Sequence, residues 1–284
     1  MDRYLLRYFL AIVETGNFSR AAARENVAQP TLSAGIAKLE AQLQARLFDR
    51  TNRRVHLTEA GSRLLVHARR IEHEFNLAQA AVAGAAPAQL LRVAVLSTIP
   101  ATLIEEILTR RPPGAERIEL LEGTEREVLS LLDRGRADAA LTVINPSTDR
   151  FAGEQLHEEG YGLALPAGHR LAGAGSIEGE ALADEVMMVR RHCEVLAQTS
   201  RYFTDRGVRP FFSYRGAGDE KVLALVRAGL GITVMPDSYR DPGVARVGLD
   251  GFTPRRVIGL CYAGEAARPS AFVQAAREVC GEMV

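Results

Sequence analysis

The segment 190–194 holds the residues of this sequence that are best suited to chemistry. It reads Arg190-Arg191-His192-Cys193-Glu194 and lies between an apolar strand pattern and the start of a predicted helix. Positive charge and a helix N-terminus both lower the pKa of a thiol and make it reactive. A free cysteine is also among the most commonly buried residues. The segment therefore indicates either a reactive Cys193 or a packing residue, and both interpretations stay open.

The other two cysteines indicate packing. Cys261 falls in an apolar strand pattern and Cys280 in the terminal helix pattern, and three cysteines at this spacing form neither a disulfide framework nor a zinc motif. The sequence contains no GxSxG elbow, HExxH motif or glycine-rich phosphate loop. We predict no catalytic residue, metal or cofactor. An α/β enzyme and a non-regulatory ligand-binding protein are the alternatives to a regulator.

Polar loops follow several of the predicted strands. Ser97-Thr98-Ile99-Pro100 comes after the first of them, and 142–145 and 216–218 come after others. Hydroxyls and free backbone N–H groups in such loops can bind an anion, although a serine or threonine there can equally cap a helix. The residues predicted to bind a small effector or oxidant, of unknown identity, are Ser97, Thr98, Ile99, Pro100, Thr142, Asn145, His192, Cys193, Glu194, Gly216 and Ala217.

These loops require a scaffold of alternating strands and helices, which the sequence from 90 onward predicts. Strands are expected at 91–96, 118–121, 139–143, 162–165, 186–189, 211–214, 231–235 and 256–262. Helices are expected at 101–111, 125–133, 195–206, 219–228 and from 269. This order indicates an α/β domain with mostly parallel sheets, whose ligands bind at the carboxyl ends of the strands.

The first sixty residues predict a winged helix-turn-helix. Apolar residues recur at helical spacing over 3–15, Ser19 is a suitable N-cap for a short second helix, and Gln29-Pro30 opens a third that reaches about residue 44. Two short strands at 47–48 and 55–57 then flank a basic tip. The alternative is a small helical domain with a solvated charged loop. In a helix-turn-helix the second helix of the motif enters the major groove. The residues predicted to contact double-stranded DNA are Ser19, Gln29, Pro30, Thr31, Ser33, Lys38, Arg50, Arg53 and Arg54.

A long helix is predicted to follow the head, beginning after Thr58. Its apolar positions alternate by four and three, and they are Leu64, Ala68, Ile71, Phe75, Ala78 and Val82. Such a seam can pair with the same helix of a second copy of the chain, and the dimer would let two heads reach two half-sites. The alternative is that the seam packs on its own domain. Residues 84–87 mark a hinge.

Charge is divided unevenly along a chain whose formal net charge is zero. Residues 1–75 hold 12 Lys and Arg against 8 Asp and Glu, a net +4, and the other 209 residues hold 23 against 27, a net −4. A basic head on a slightly acidic body fits a nucleic-acid partner. Hydrophobic residues at 47% and charged residues at 25% exclude a disordered chain. With no membrane-length apolar run and no secretory signal, we expect a cytoplasmic protein.

The head resembles the DNA-binding domain of the LysR-type transcriptional regulators. The matching residues are Phe18, Ser19, Ala21, Ala22, Gln29, Pro30, Leu32, Ser33, Ile36, Leu39, Glu40, Leu47, Phe48, Arg50, Arg53, Leu57, Thr58 and Gly61. Ala34 and Gln44 depart from the family pattern, which bears on operator preference.

The resemblance implies three parts. These are a winged helix-turn-helix at 1–58, a linker and dimerisation helix at 59–87, and a two-lobed effector domain at 88–284 like the periplasmic binding proteins. Lobe I would comprise 88–162 and 267–284, and lobe II 163–266. It also implies a homodimer or homotetramer and a small effector between the lobes.

The 192–193 pair is similar to the reactive-cysteine segment of the peroxide-sensing LysR-type regulators. That similarity places Thr98 and Arg268 near the effector. The resolving cysteine of those proteins is absent, because Tyr202 stands at its position. The resemblance thus implies either one-thiol sensing at Cys193 or an ordinary ligand site that contains a cysteine. It does not imply an intramolecular disulfide switch.

Overall fold

The computed structural model describes residues 1–51, 54–83, 90–264 and 270–283. The chain forms two compact units, Met1–Gln89 with Asp133–Arg136, and Leu90–Leu132 with Ala137–Val284. The predicted contact residues Arg53 and Arg268, and the predicted hinge at 84–87, lie outside the described residues. No helix in the described ranges is long and apolar enough to cross a membrane.

The first unit, called the head, carries three helices, a hairpin and a long helix. They are α1 (Arg3–Thr15), α2 (Phe18–Arg24), α3 (Gln29–Leu43), β1 (Phe48–Thr51), β2 (Arg54–Leu57) and α4 (Glu59–Ala83). The apolar face of α1 supplies Leu5, Phe9 and Ile12 to the core, where Leu32, Ile36 and Leu39 of α3 meet them. Gly16 ends α1 with a φ of 64°, a conformation that glycine adopts without strain.

The cap of α2 differs from the prediction. The side chain of Asn17, not of Ser19, accepts hydrogen bonds from the backbone, at 2.8 Å from Ser19 N and 3.0 Å from Arg20 N. Ser19 is the second residue of the helix, so the predicted N-cap was wrong by two residues. Asn17 adopts the extended backbone of a cap residue, and an amide oxygen there reaches the free N–H groups of the first turn.

The long helix α4 begins as predicted and then packs differently. Thr58 caps it, since its Oγ1 accepts a hydrogen bond from Gly61 N at 3.0 Å. Ala68 is fully buried in the head core, with Leu64 and Ile71 packed against that core. The alternative of packing on its own domain is therefore confirmed for the first half of the seam. Phe75 remains exposed, and the side chains of Ala78 and Val82 lie outside the described residues.

The second unit begins with a five-stranded sheet that we call lobe I. Its elements are β3 (Leu90–Leu96), α5 (Ala101–Arg110), β4 (Arg117–Gly123), α6 (Glu125–Asp133), β5 (Ala139–Val143), β6 (Ala152–Glu159), β13 (Arg256–Tyr262) and α9 (Ala271–Glu282). The strand order is β4-β3-β5-β13-β6. Strand β3 runs parallel to β4 and β5, while β13 runs antiparallel to both of its neighbours.

Lobe II contains the remaining elements of this unit. They are β7 (Tyr161–Pro166), β8 (Ser176–Ile177), a short 3-10 helix (Gly179–Leu182), β9 (Val186–Arg190), α7 (Leu196–Asp205), β10 (Phe211–Gly216), α8 (Asp219–Arg227), β11 (Thr233–Pro236) and β12 (Val244–Leu249). One sheet has the order β11-β7-β12-β8, and β10 pairs with β9 in a second, parallel sheet.

Two predictions about these lobes were wrong. The sheet of lobe I and the four-stranded sheet of lobe II are mixed rather than mostly parallel, because β13 runs antiparallel to β5 and β6, and β7 runs antiparallel to β11 and β12. Strands β6, β8 and β12 were not predicted. The strand 256–262 belongs to the sheet of lobe I, although it was assigned to lobe II. The chain therefore crosses between the lobes twice, once at Gly160 and once at 250–255, and β6 and β13 lie side by side where it does so.

Candidate functional site

A buried ion pair joins the two chain crossings. Arg256, the first residue of β13, lies opposite Glu159, the last residue of β6. Both side chains are almost completely buried, and Arg256 Nε donates to Glu159 Oε1 at 2.8 Å. Glu159 also accepts hydrogen bonds from the backbone N–H and the hydroxyl of Ser238, at 2.6 and 2.9 Å. This pairing holds the Arg256 side chain in place, so that its Nη1 atom points toward the loop after β3.

That guanidinium binds groups from both lobes. Arg256 Nη1 donates to the carbonyl oxygen of Thr98 in lobe I at 3.0 Å and to Glu194 Oε1 in lobe II at 2.9 Å. The Thr98 hydroxyl donates to the same carboxylate oxygen, and the Tyr161 hydroxyl donates to Glu194 Oε2 at 3.3 Å. These three donors form an anion site, and a carboxylate of the chain itself occupies it.

The electrostatics of this cluster hold the arginine charged and the tyrosine neutral. Burial on its own would lower the pKa of Arg256, but Glu194 and Glu159 outweigh burial and raise it above its usual value. Burial, followed by the charge of Glu194, raises the pKa of Tyr161. Because a neutral phenol and a charged guanidinium are both donors at neutral pH, the site is built for a negatively charged or acceptor-rich group.

A second buried ion pair lies beside Cys193. Arg190 Nε donates to Asp219 Oδ1 at 2.8 Å, and its Nη2 contacts the other carboxylate oxygen. The Nη1 atom lies 3.2 Å from the carbonyl oxygen of Val234 and 3.5 Å from Cys193 Sγ. The hydroxyl of Tyr239 completes the group, 3.3 Å from Asp219 Oδ2. The positive charge next to the thiol is therefore already paired.

This pairing decides the protonation state of the cysteine. Burial raises the pKa of Cys193 and outweighs the opposing effect of Arg190. Of the two interpretations that the sequence left open, the lowered pKa of a reactive thiol is not found, because Asp219 takes up the arginine charge, Arg191 and His192 are exposed, and α7 begins only at Leu196. Cys193 is partly exposed, whereas Cys261 and Cys280 are buried, as predicted. Burial raises their pKa values to about 11 and about 12.

The other predicted effector residues differ in burial and in hydrogen bonding. Thr142 is buried and Ser97 half-buried, and neither hydroxyl oxygen has a hydrogen-bond partner among the described residues. Asn145 donates to Glu125 at 2.8 Å. Ile99 is buried in the core of lobe I and Pro100 precedes α5, whose Ala101 N–H is bound by Glu220 at 3.0 Å. Gly216 ends β10 and accepts a hydrogen bond from Arg191 N, and Ala217 follows it.

The structure thus brings together Thr98 and Glu194 of the predicted set, and it adds three residues that sequence reasoning missed. Arg256, Glu159 and Tyr161 lie at strand ends and are far apart in sequence from Thr98 and Glu194. The sequence did contain one signal for Arg256, which is a charged residue at the start of an otherwise apolar strand.

The predicted DNA-contact residues of α3 lie at one end of that helix. Gln29, Pro30 and Thr31 are exposed, and Ser33 is half-buried. No side chain caps this helix start, so its N–H groups remain available to a phosphate. Lys38 lies further along, 3.2 Å from Asp2 and 3.1 Å from the Tyr4 hydroxyl. The backbones of Arg50 and Arg54 belong to the β1–β2 hairpin, but their side chains lie outside the described residues.

Two family models match the chain and together span nearly all of it. Residues 4–62 match the bacterial regulatory helix-turn-helix protein of the lysR family, and residues 84–283 match the LysR substrate binding domain. A probable hydrogen peroxide-inducible genes activator of Mycobacterium avium is 33% identical over 289 residues, covering 97% of this chain and 91% of that protein. The transcriptional regulator XapR of Escherichia coli is 33% identical over 256 residues, 86% of each chain.

Solved structures support the same architecture. Full-length OxyR of Pseudomonas aeruginosa, in a cysteine variant, matches with a TM-score of 0.72 at 22% identity, covering 99% of this chain and 98% of that one. CbnR in complex with its target DNA matches with a TM-score of 0.54 at 24% identity, covering 98% and 100%. At these identities the likeness establishes the fold of the chain, and the site must be argued from its own residues.

Proposed function

The chain belongs to the LysR family of transcriptional regulators, and on that premise we propose that a small effector controls it by competing for the site that Glu194 occupies. It is a DNA-binding regulator with an effector-binding domain, not an enzyme. The observation that carries the proposal is the bridge from Thr98 of lobe I through Glu194 of lobe II to Arg256.

This bridge couples ligand binding to the arrangement of the lobes. Glu194 belongs to lobe II, and two of its partners belong to lobe I, since Thr98 lies in the turn after β3 and Arg256 begins β13. An acidic effector that takes the same donors releases the carboxylate and removes a lobe-to-lobe contact. Such a ligand binds the two lobe arrangements with different affinity, which is the condition for a ligand to shift a conformational equilibrium.

The effector site extends from this bridge to the neighbouring predicted loops. Ser97 and Thr142 supply hydroxyl oxygens that have no hydrogen-bond partner in the described part of the chain, and Asn145 lies at the same ends of the strands. His192, Gly216 and Ala217 border it from lobe II, together with Cys193. Arg268 remains a proposed contact on family resemblance alone.

On the DNA side, the proposed contacts are the exposed polar residues of the α3 start and the basic hairpin. Gln29, Thr31 and Ser33 would meet base edges, while Arg50, Arg53 and Arg54 would bind phosphates. We place the dimer contact on the part of α4 from Phe75 onward, because the earlier apolar positions pack in the head core. A tetramer is the further assembly that the family suggests.

A thermal-shift screen of small carboxylates and amino acids on the full chain tests the effector proposal. A ligand of the folded state raises the melting temperature, and Thr98→Val, which removes a donor from the anion site, should abolish the rise. Thr109→Val on the exposed face of α5 is the matched control and should respond as the wild type does. A rise that persists in Thr98→Val would refute the proposed site.

A second candidate function is one-thiol redox sensing at Cys193. The relatives named as peroxide-inducible activators, and the partial exposure of Cys193 alone among the three cysteines, favour it. Its thiolate would attack one oxygen of hydrogen peroxide and break the O–O bond, which leaves a sulfenic acid and a hydroxide ion that takes up a proton from the solvent. The test is the transcriptional response to peroxide in Cys193→Ser. An unchanged response would exclude the thiol as the sensor.

A further inference from the structure

Lobe II contains a cavity that lies apart from the Thr98–Glu194–Arg256 bridge. It has a volume of about 430 Å³ and is bounded by β9, α7, β10 and β11.

 That volume falls within the range of about 300–1,000 Å³ that small-molecule sites occupy. Most of its wall is apolar, and the side chains responsible are Met187, Leu196, Phe203, Val208, Phe212 and Val234.

The hydroxyl groups in the wall leave this apolar character intact. Thr199 and Thr204 donate to backbone oxygens of their own helix at 2.9 and 2.8 Å, and Thr233 donates to the Met188 carbonyl at 2.9 Å. Each threonine hydroxyl proton is thereby used within the protein. The interior of the cavity therefore suits the hydrocarbon part of a ligand.

Two arginines give the cavity a charged border. Arg209 and Arg215 both line it and are exposed, and in the described part of the chain neither has a carboxylate partner. The guanidinium of Arg215 lies 4.7 Å from the ring centroid of Phe212, which keeps it next to the apolar wall. Cationic donors beside an apolar cavity complement a molecule with a hydrocarbon body and one anionic end.

We propose that this cavity binds an amphipathic monocarboxylate, with the hydrocarbon chain inside and the carboxylate at Arg209 and Arg215. Cys193 forms part of the wall, so an occupant covers its Sγ atom. The cavity shares Cys193 with the border of the effector site proposed above, but the bridge residues Thr98, Arg256 and Glu194 are not among its lining residues.

The test uses octanoate and the rate at which N-ethylmaleimide modifies Cys193 in the full chain. Cys261 and Cys280 are buried, so modification reports mainly on Cys193. Octanoate should slow the reaction and raise the melting temperature, and octanol should do so more weakly. Lengthening the chain from hexanoate to octanoate should tighten binding by about fourfold per methylene. Absence of protection by octanoate would overturn the proposal.

Variants separate this site from the bridge. The Arg209→Gln, Arg215→Gln double variant changes only exposed side chains and should weaken octanoate by about tenfold or more, because charge-assisted hydrogen bonds are lost, while octanol binding stays the same. Leu196→Trp fills the cavity and should abolish protection by both ligands. Thr98→Val should leave octanoate protection unchanged. Loss of protection in Thr98→Val, or its full retention in the arginine double variant, would place octanoate elsewhere and contradict the proposal.

Discussion

Glu194 is the residue whose contacts depend most on its charge, since it faces a buried guanidinium and two hydroxyl groups. Glu194→Gln keeps the shape but leaves Arg256 with one carboxylate partner instead of two. We expect the free energy of unfolding to fall by about 1–2 kcal/mol, less than for a fully buried pair because Glu194 is 21% exposed. Urea denaturation measures this.

The matched control is Glu158→Gln, which removes the exposed partner of Arg255. Both side chains of that pair are 55% exposed, so the change should stay within about 0.5 kcal/mol. Equal effects of the two substitutions would show that the Glu194 contact is an ordinary surface ion pair.

Cys193 carries a prediction about pH. Because burial raises its pKa, the thiol is protonated at neutral pH, and its thiolate fraction grows only as the pH rises past the ordinary thiol value. The rate of alkylation by iodoacetamide should therefore keep rising with pH above about 8.5, the pKa of a free cysteine. Cys193→Ser supplies the background from the buried cysteines. A rate that levels off below that pH would mean that Arg190 does activate the thiol.

Sequence reasoning named some site residues and missed others for a physical reason. Thr98, Cys193 and Glu194 follow strands, and polar loops after strands are visible in a single sequence. Arg256 is 158 residues from Thr98, and their contact exists only because β13 pairs with β6 at the chain crossing. Strand order depends on packing across the whole lobe, so this partner could not be inferred from local spacing.

At the level of single elements, the N-cap of α2 can be tested directly, because the predicted cap residue was Ser19 and the observed one is Asn17. Asn17→Ala should lower the free energy of unfolding by about 1 kcal/mol, because two backbone N–H groups lose their acceptor. Asn17→Asp should retain the stability, since aspartate is an equally good cap. Ser19→Ala is the control and should change little. A larger loss in Ser19→Ala than in Asn17→Ala would restore Ser19 as the cap.

The helix α4 carries a prediction about assembly. Phe75 is 46% exposed, with the guanidinium of Arg3 4.7 Å from its ring centroid, and it follows the part of the seam that the head core buries. Phe75→Glu should shift the chain toward the monomer in sedimentation equilibrium, because a charge at an apolar seam opposes pairing. Leu43→Glu, at the exposed end of α3, is the control. An unchanged mass for Phe75→Glu would remove this helix segment from the interface.

Elements with strong periodicity were predictable, and half-exposed strands were not. The apolar positions of α1 and the run of β3 appear in the sequence as a helix and a strand, and the structure has them there. Strand β6 reads AGEQLHEE and β12 reads VARVGL, and both have partly solvated faces that weaken the apolar signal. The direction of the strands that were predicted was also missed, because β13 runs antiparallel to β5 and β11 runs antiparallel to β7.

At the scale of the whole molecule, a net charge of zero describes a basic N-terminal region and an acidic remainder. The surplus of four positive charges lies on residues 1–75, which include the helix-turn-helix. Phosphate contacts from this region release counterions, so DNA affinity should fall steeply as salt rises. Overall charge alone would have argued against nucleic acid, while its distribution along the chain argues for it.

The most direct test is DNA binding by the full chain, measured by footprinting on the DNA upstream of its own coding sequence with excess unrelated DNA as competitor. We expect a protected region that persists against the competitor. Gln29→Ala with Ser33→Ala should lose this preference while keeping salt-dependent non-specific binding. Gln42→Ala, exposed at the far end of α3, should behave as the wild type does. Equal affinity of the wild-type chain for upstream and unrelated DNA would contradict sequence-specific regulation.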